Sequence, residues 1–275
     1  MAAGRAKLLH QETGKRIAIG KPNQIIWCDL YNNNPYLVTP SELPYRYPTR
    51  HEELEGMVWL YDYPGARPYI DYQATRLHSD NRRLKGIKNT QRWVWNIQYG
   101  PPEPAEIFLT EEEEWQASKY MRHPYVIVDP HIKAKAPPNK RWYFDYFQQV
   151  VDAIEPYVEV IQPIYARNDV LQGVSVKPTS VREMAVWMSR ATCLVTNEGL
   201  LHHMAAAFTT PAVVIAGAFV PKDVSGYAYQ TWFTKKDKRV IGVRVECTAG
   251  LEAMKAIKPP EVISAVKRIM KEAGI

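Results

Sequence analysis

The stretch from Cys193 to Gly217 leaves few folds open to this chain. An apolar run, Cys193-Leu194-Val195, ends in Thr196-Asn197-Glu198-Gly199. A helical segment rich in small residues follows from Leu200 to Phe208, and a second apolar run, Ala212 to Ala216, closes the unit. Short apolar runs bounded by turn residues read as buried strands, and two parallel strands in one sheet require a crossover of this kind. Ligands of open α/β sheets bind outside the carboxyl ends of the strands, where Asn197, Glu198 and Gly199 would lie.

The same alternation extends upstream. Tyr125 to Val128 reads as a strand and residues 129–141 as a loop; Tyr143, Phe147, Val150, Val151 and Ile154 then recur at helical spacing before a strand at Tyr157 to Ile161. Ser180-Val181-Arg182-Glu183 has the capping-box form, with Val181, Met184, Ala185 and Met188 at i, i+3, i+4 and i+7. Residues 218–227 read as a Gly/Pro loop, and Pro259-Pro260-Glu261 opens a last amphipathic helix. This βαβαβ succession predicts a doubly wound parallel sheet. Right-handed crossovers would gather the loop after the 125–128 strand, the 197–199 turn and the Gly217 loop on one edge.

The amino-terminal part is less regular. Arg16 to Gly20 and Gln24 to Leu30 read as short strands, stopped by Tyr31-Asn32-Asn33-Asn34-Pro35. From Thr39 to Pro104 the chain is rich in Pro, Tyr, Arg and Trp. Arg67, Tyr69, Trp93 and Trp95 mark an Arg/aromatic surface that could face a ligand or pack as a small aromatic core. Thr110 then precedes four glutamates at a helix start, better explained as a solvated helix end than as a metal site. The change of character sets the expected domains at 1–110 and 111–275.

Composition removes several classes. A chain of 275 residues, 46% hydrophobic and 23% charged, is long enough for two modest domains, and its net charge of +6 favours an anionic partner. Cys28, Cys193 and Cys247 form no CxxC or Cys/His cluster, so neither a disulfide framework nor a zinc site is expected. No apolar run is long enough to span a membrane, and residues 1–14 lack a secretory segment, so the expected compartment is the cytoplasm. Walker, GxGxxG, HExxH and GxSxG motifs are absent, which argues against a kinase, classical dehydrogenase, zinc protease or serine hydrolase.

Candidate site residues follow from position. Lys140 and Arg141 stand at a helix start, where the macrodipole disfavours cations by roughly 0.3–1 kcal/mol each, so an anionic neighbour is expected. With His131, Lys133 and Lys135 the loop reads as a phosphate cradle centred on Lys140, or as a solvated basic loop. Asn197, Glu198 and Gly199 offer an amide, a carboxylate and an open backbone, although Asn197 or Glu198 could equally cap the helix. His202 is assigned to the site lining and His203 to a structural role, with core packing the simpler account of each alone. Adjacent helical residues point roughly 100° apart, so the pair is not expected to chelate one metal. Gly217 begins the opposite wall.

Lys140-Arg141-Trp142, the segment Ser180 to Ala191, and Asn197-Glu198-Gly199-Leu200-Leu201-His202-His203-Met204-Ala205-Ala206 together resemble the carboxyl-terminal half of the ADP-heptose:lipopolysaccharide heptosyltransferases, glycosyltransferase family 9. The similarity covers roughly Glu111 to Lys271. Tyr143 stands where the family usually has proline, and Asn197-Glu198 where it has Asp followed by Ser or Thr. The amino-terminal half is shorter and lacks the family's Gly-Asp turn.

The resemblance implies a GT-B-like α/β fold of two Rossmann-like halves, the amino-terminal one reduced and irregular. It implies metal-independent transfer of a sugar from a nucleotide-diphosphate donor, a co-substrate rather than a cofactor, to an acceptor hydroxyl. The donor would lie on the carboxyl-terminal domain, on His131, Lys133, Lys140, Asn197, Glu198, Gly199, His202 and Gly217. The acceptor, a bacterial surface glycan, would meet the 1–110 domain, with Asp29 and then Asp71 the candidate bases. Two alternatives stay open: a phage-type enzyme acting on hydroxymethylated DNA bases through Arg67, Tyr69, Trp93 and Trp95, and a non-catalytic sugar-nucleotide or glycan-binding protein.

Overall fold

The computed structural model describes residues 2–42 and 102–275, apart from 22, 23, 26, 121, 122, 135, 165–168 and 179, together with a short strand at 57–59. In chain order its elements are α1 (Ala2–Thr13), β1 (Arg16–Ala18), β2 (Gly20–Lys21), β3 (Gln24–Ile25), β4 (Met57–Trp59), α2 (Glu111–Tyr120), β5 (Tyr125–Asp129), α3 (Phe144–Ile154), β6 (Glu159–Ile164), β7 (Ser175–Pro178), α4 (Val181–Met188), β8 (Cys193–Asn197), α5 (Leu200–Ala207), β9 (Ala212–Gly217), α6 (Lys222–Ser225), β10 (Thr231–Thr234), α7 (Thr248–Lys255) and α8 (Pro259–Glu272).

Six of the strands form one parallel sheet in the order β10-β9-β8-β5-β6-β7. The chain enters at the centre, steps outward to β6 and β7, then returns to the other side of β5 and continues through β8, β9 and β10. The direction of winding therefore reverses between β5 and β8. At such a switch point the crossovers leave toward opposite faces, opening a crevice at the carboxyl ends of the two central strands.

Alternation along β5 explains why both faces are covered. Val126 and Val128 point into one apolar layer with Phe147, Val150, Val151 and Ile154 of α3 and Val262 and Val266 of α8. Tyr125 and Ile127 point into the other, with Met184, Ala185 and Met188 of α4 and Leu201, Met204 and Ala205 of α5. Each large aliphatic side chain so buried contributes about 1.5–3 kcal/mol. The small residues of α5 let it lie close on the sheet, and the capping box of α4 forms as expected, Ser180 Oγ accepting from Glu183 N at 3.1 Å while Glu183 Oε2 accepts from Ser180 N at 2.6 Å.

Several sequence expectations shift. Tyr157 is not in a strand: Tyr157 N donates back to Ile154 O in a turn that extends α3, and its exposed ring lies under Lys267 Nζ at 5.2 Å. Of the described residues in the run from Gln24 to Leu30, only 24–25 are strand; Asp29–Tyr31 closes into a 3-10 turn, and Asn33 beyond it takes a positive φ of 64°. The 218–227 loop folds inward, burying Phe219, Val220 and Tyr227 around α6.

Arg182, at the start of α4, ties segments from both parts of the chain together. Its Nε and Nη2 each donate to Glu113 at 2.6 Å, Nη2 also donates to Phe108 O at 2.6 Å, and Nη1 donates to Asp29 O at 3.3 Å. Glu113 is therefore an ion-pair partner as well as the capping residue for Thr110.

Gly217 ends β9 at φ +57°, and a Cβ built there would collide with Met254 Sδ. Gly217→Ala combines left-handed strain of about 1–2 kcal/mol with overpacking of about 1–3 kcal/mol. The expected result is a loss of about 2–5 kcal/mol in urea unfolding.

Candidate functional site

Asn197, the last residue of β8, holds the switch point together. Its Oδ1 accepts from Trp142 N at 2.9 Å and its Nδ2 donates to Pro130 O at 2.9 Å, so one buried amide joins the end of β8 to both ends of the loop after β5. Asn139, in the 3-10 turn Pro138–Lys140, does the same further along. Its Nδ2 donates to Val243 O and Val245 O, each at 2.8 Å, and its Oδ1 accepts from Cys247 N at 3.1 Å.

On this frame Lys140 Nζ forms an ion pair with Glu198 Oε2, both side chains about nine-tenths buried, and lies 5.5 Å from the Phe219 ring centre. The anionic neighbour expected for Lys140 is thus internal. Lys140 itself precedes α3, which begins at Phe144 after an extended link, so it does not occupy the helix start inferred from sequence. Burial works against the Glu198 carboxylate, but the Lys140 ammonium and His202 outweigh it and hold the carboxyl well below its ordinary range.

Glu198 also faces α5. Its Oε1 accepts from Ser225 Oγ at 2.9 Å and lies 3.6 Å from His202 Nε2. His202 is fully buried and His203 half-buried, yet their ring centres are only 3.9 Å apart. One donor atom from each of Glu198, His202 and His203 lies within 4.8 Å of the others, contrary to the expectation that adjacent histidines would diverge. The angular offset applies at Cβ, and long imidazole side chains can fold back across it. Burial favours the neutral form of both rings.

The first turn of α5 has no side-chain cap, because Gly199 is its N-cap. That settles the choice between Asn197 and Glu198: neither caps the helix. Gly199 has an extended φ of 174°, and a Cβ there would meet only Asn197 O at 3.9 Å, so neither packing nor conformation demands glycine.

Asp129, buried at the end of β5, was not singled out from the sequence. Its Oδ1 accepts from His131 N at 3.0 Å, but burial dominates and pushes the carboxyl up to about 7. His131 Nε2 lies 3.0 Å from Asp169 O and 3.2 Å from Gln162 Nε2, while Gln162 Oε1 accepts from Leu171 N at 2.9 Å. Gln162 was also missed, although a glutamine inside the apolar run of β6 is a recognisable signal. A carboxyl with a raised pKa keeps its proton in the folded state after the unfolded chain has released it. Its contribution to stability therefore falls as pH rises from the ordinary carboxylate range through 7, by on the order of 4 kcal/mol in total. Asp129→Asn should flatten that slope and be more stable than wild type at pH 8, as read by urea unfolding at a series of pH values.

Lys133 is exposed in the same loop. Gly217 belongs to the packing against Met254. Asp29 is exposed, and its backbone carbonyl is held by Arg182 at the start of α4; that start follows β7 and so lies on the carboxyl edge of the sheet. Arg67, Tyr69, Asp71, Trp93 and Trp95 lie outside the described residues.

No protein-family model matches the chain, and no curated protein matches its sequence. Solved structures do. The iron-containing dodecameric glycosyltransferase TibC from enterotoxigenic E. coli H10407 aligns over 86% of this chain and 63% of its own, with a TM-score of 0.51 at 13% identity. A glycosyl transferase family 9 protein from Veillonella parvula (TM-score 0.48, 17% identity) covers 62% of this chain and 55% of its own. E. coli ADP-heptose lps heptosyltransferase II (TM-score 0.48, 15% identity) covers 70% and 60%. The chain thus spans between 55% and 63% of the length of these structures. What the likeness to TibC shows is the fold: an α/β architecture similar to that of GT-B glycosyltransferases.

Proposed function

We propose that the chain is a glycosyltransferase that takes a sugar from a nucleoside-diphosphate sugar held in the switch-point crevice and passes it to an acceptor hydroxyl, most simply on a bacterial surface glycan. The observation that carries this reading is a largely buried lysine, Lys140, set beside the uncapped first turn of α5 at the point where a doubly wound sheet reverses its winding. As the glycosidic bond breaks, the diphosphate leaving group gains negative charge. A fixed ammonium and the free N–H groups of a helix start stabilise that charge without reorganising. The fold shared with glycosyltransferases supports the same chemistry.

Glu198 and Asn197 line the floor on this reading, with Glu198 holding Lys140 in place until a phosphate shares it. Asp29, exposed on the same edge, is the proposed base for the acceptor hydroxyl. The test is release of nucleoside diphosphate from a panel of nucleotide sugars. Release that rises when a hydroxylated glycan acceptor is added is the expected result. Tight binding of nucleotide sugars with no release on any acceptor would make the chain a binding protein instead.

A further inference from the structure

We propose that Glu198, His202 and His203, with the Ser225 hydroxyl as a fourth donor, form a binding site for a divalent first-row transition metal of the zinc type. The spacing of the donor atoms carries the inference. Glu198 Oε1 and His202 Nε2 are 3.6 Å apart, and Ser225 Oγ lies 3.4 Å from His202 Nε2 and 3.5 Å from His203 Nε2. These separations are long for hydrogen bonds, which cluster at about 2.7–3.2 Å. They are close to the edges of a tetrahedron around one ion, since bonds of about 2.0–2.1 Å place neighbouring ligand atoms about 3.3–3.4 Å apart; the shorter 2.9 Å between Ser225 Oγ and Glu198 Oε1 is a hydrogen bond that an ion would replace. Two imidazoles and a carboxylate are also a donor set that suits zinc and its neighbours rather than magnesium or calcium.

The surroundings orient the set. His203 Nδ1 lies 2.9 Å from Tyr227 Oη, so its Nε2 is the nitrogen left to face the cluster. Gln230 Nε2 donates to His202 O at 2.7 Å and fixes the backbone between the two histidines. His202 Nδ1 is buried without a partner among the described residues, while Nε2 is the nitrogen that faces Glu198 and Ser225. Glu198, just before the N-cap of α5, precedes His202 by four residues, and its second oxygen faces Lys140. A dication on Oε1 adds positive charge beside that ammonium, which favours an anionic ligand next to it. The metal site itself does not depend on the transfer proposed above.

The test uses the full chain, stripped of metal by chelation and titrated with Zn²⁺ and with Co²⁺ as a visible probe. Wild type is expected to retain one equivalent of zinc after gel filtration and to develop the visible bands of tetrahedral cobalt. Because even loss of an outer-shell contact costs about 10–100-fold in metal affinity, His203→Gln and Glu198→Gln should each weaken zinc binding at least tenfold. Circular dichroism checks that the variants are folded; His203 is half-buried and the safer of the two. No stoichiometric metal on wild type, or wild-type affinity in the folded His203→Gln variant, overturns the inference. Nucleoside-diphosphate binding measured on the same samples keeps the two claims apart, since it can persist when the metal site fails.

Discussion

Lys140→Ala is expected to lose nucleoside-diphosphate binding by about thirtyfold or more, and to unfold more easily. Truncating one member of a buried charge pair or charged contact costs about 2–5 kcal/mol of binding, and about 2 kcal/mol is already a factor of about thirty. The folded state suffers separately. Without the ammonium, Glu198 is left as a buried carboxylate with two histidines and a serine for company, an exposure of unpaired charge to the interior that costs about 3–5 kcal/mol.

A second substitution separates the two effects. Lys140→Ala with Glu198→Gln removes both charges, so most of the lost stability should return while nucleotide binding does not. Urea unfolding and calorimetric titration of the single and double variants measure both quantities. Recovery of binding together with stability would make Lys140 a structural residue only.

Asn197→Ala should produce the other large effect, this time through the frame rather than through charge. The side chain satisfies Trp142 N–H and Pro130 C=O, both inside the protein. Removing it strands one donor and one acceptor at about 1–3 kcal/mol each, giving a loss of about 2–6 kcal/mol in urea unfolding. Because the same amide fixes the 130–142 loop against the β8 turn, nucleotide affinity should fall as well, although no charged group has been touched. A variant that keeps wild-type stability would show that water or a neighbouring group takes over both hydrogen bonds.

Much of the carboxyl-terminal architecture is legible in the sequence because its signals are local. Uninterrupted apolar runs at β5, β8 and β9 reflect burial on both faces, and the spacing of Phe147, Val150, Val151 and Ile154 reflects one apolar face on α3. Other elements carry no such signal. The strand β7 reads Ser-Val-Lys-Pro, an edge segment with polar residues and a proline, and β10 reads Thr-Trp-Phe-Thr at the opposite edge. Edge strands are held by one neighbour and half-covered, so their composition is set by solvent as much as by the core.

The site was legible as a place but not as a network. An expected helix start brought Lys140 under suspicion and a strand-end position Glu198, yet nothing within either segment says that they neutralise each other, because that contact joins residues 58 positions apart. Ser225 is hidden for the same reason: it reaches Glu198 only through the inward fold of the 218–227 segment. Asp129 and Gln162 show the complementary case, polar residues in apolar runs whose burial is a cost that some partner or function must offset.

Hydrogen–deuterium exchange of the full chain, with and without a saturating nucleoside diphosphate, tests most directly whether the crevice between β5 and β8 is a nucleotide site. The expected result is protection confined to the 130–142 loop and the 197–203 turn, with the outer helix α8 unchanged and the effect lost in Lys140→Ala. Protection mapped elsewhere in the chain, or none at either segment while the ligand is demonstrably bound, would contradict it.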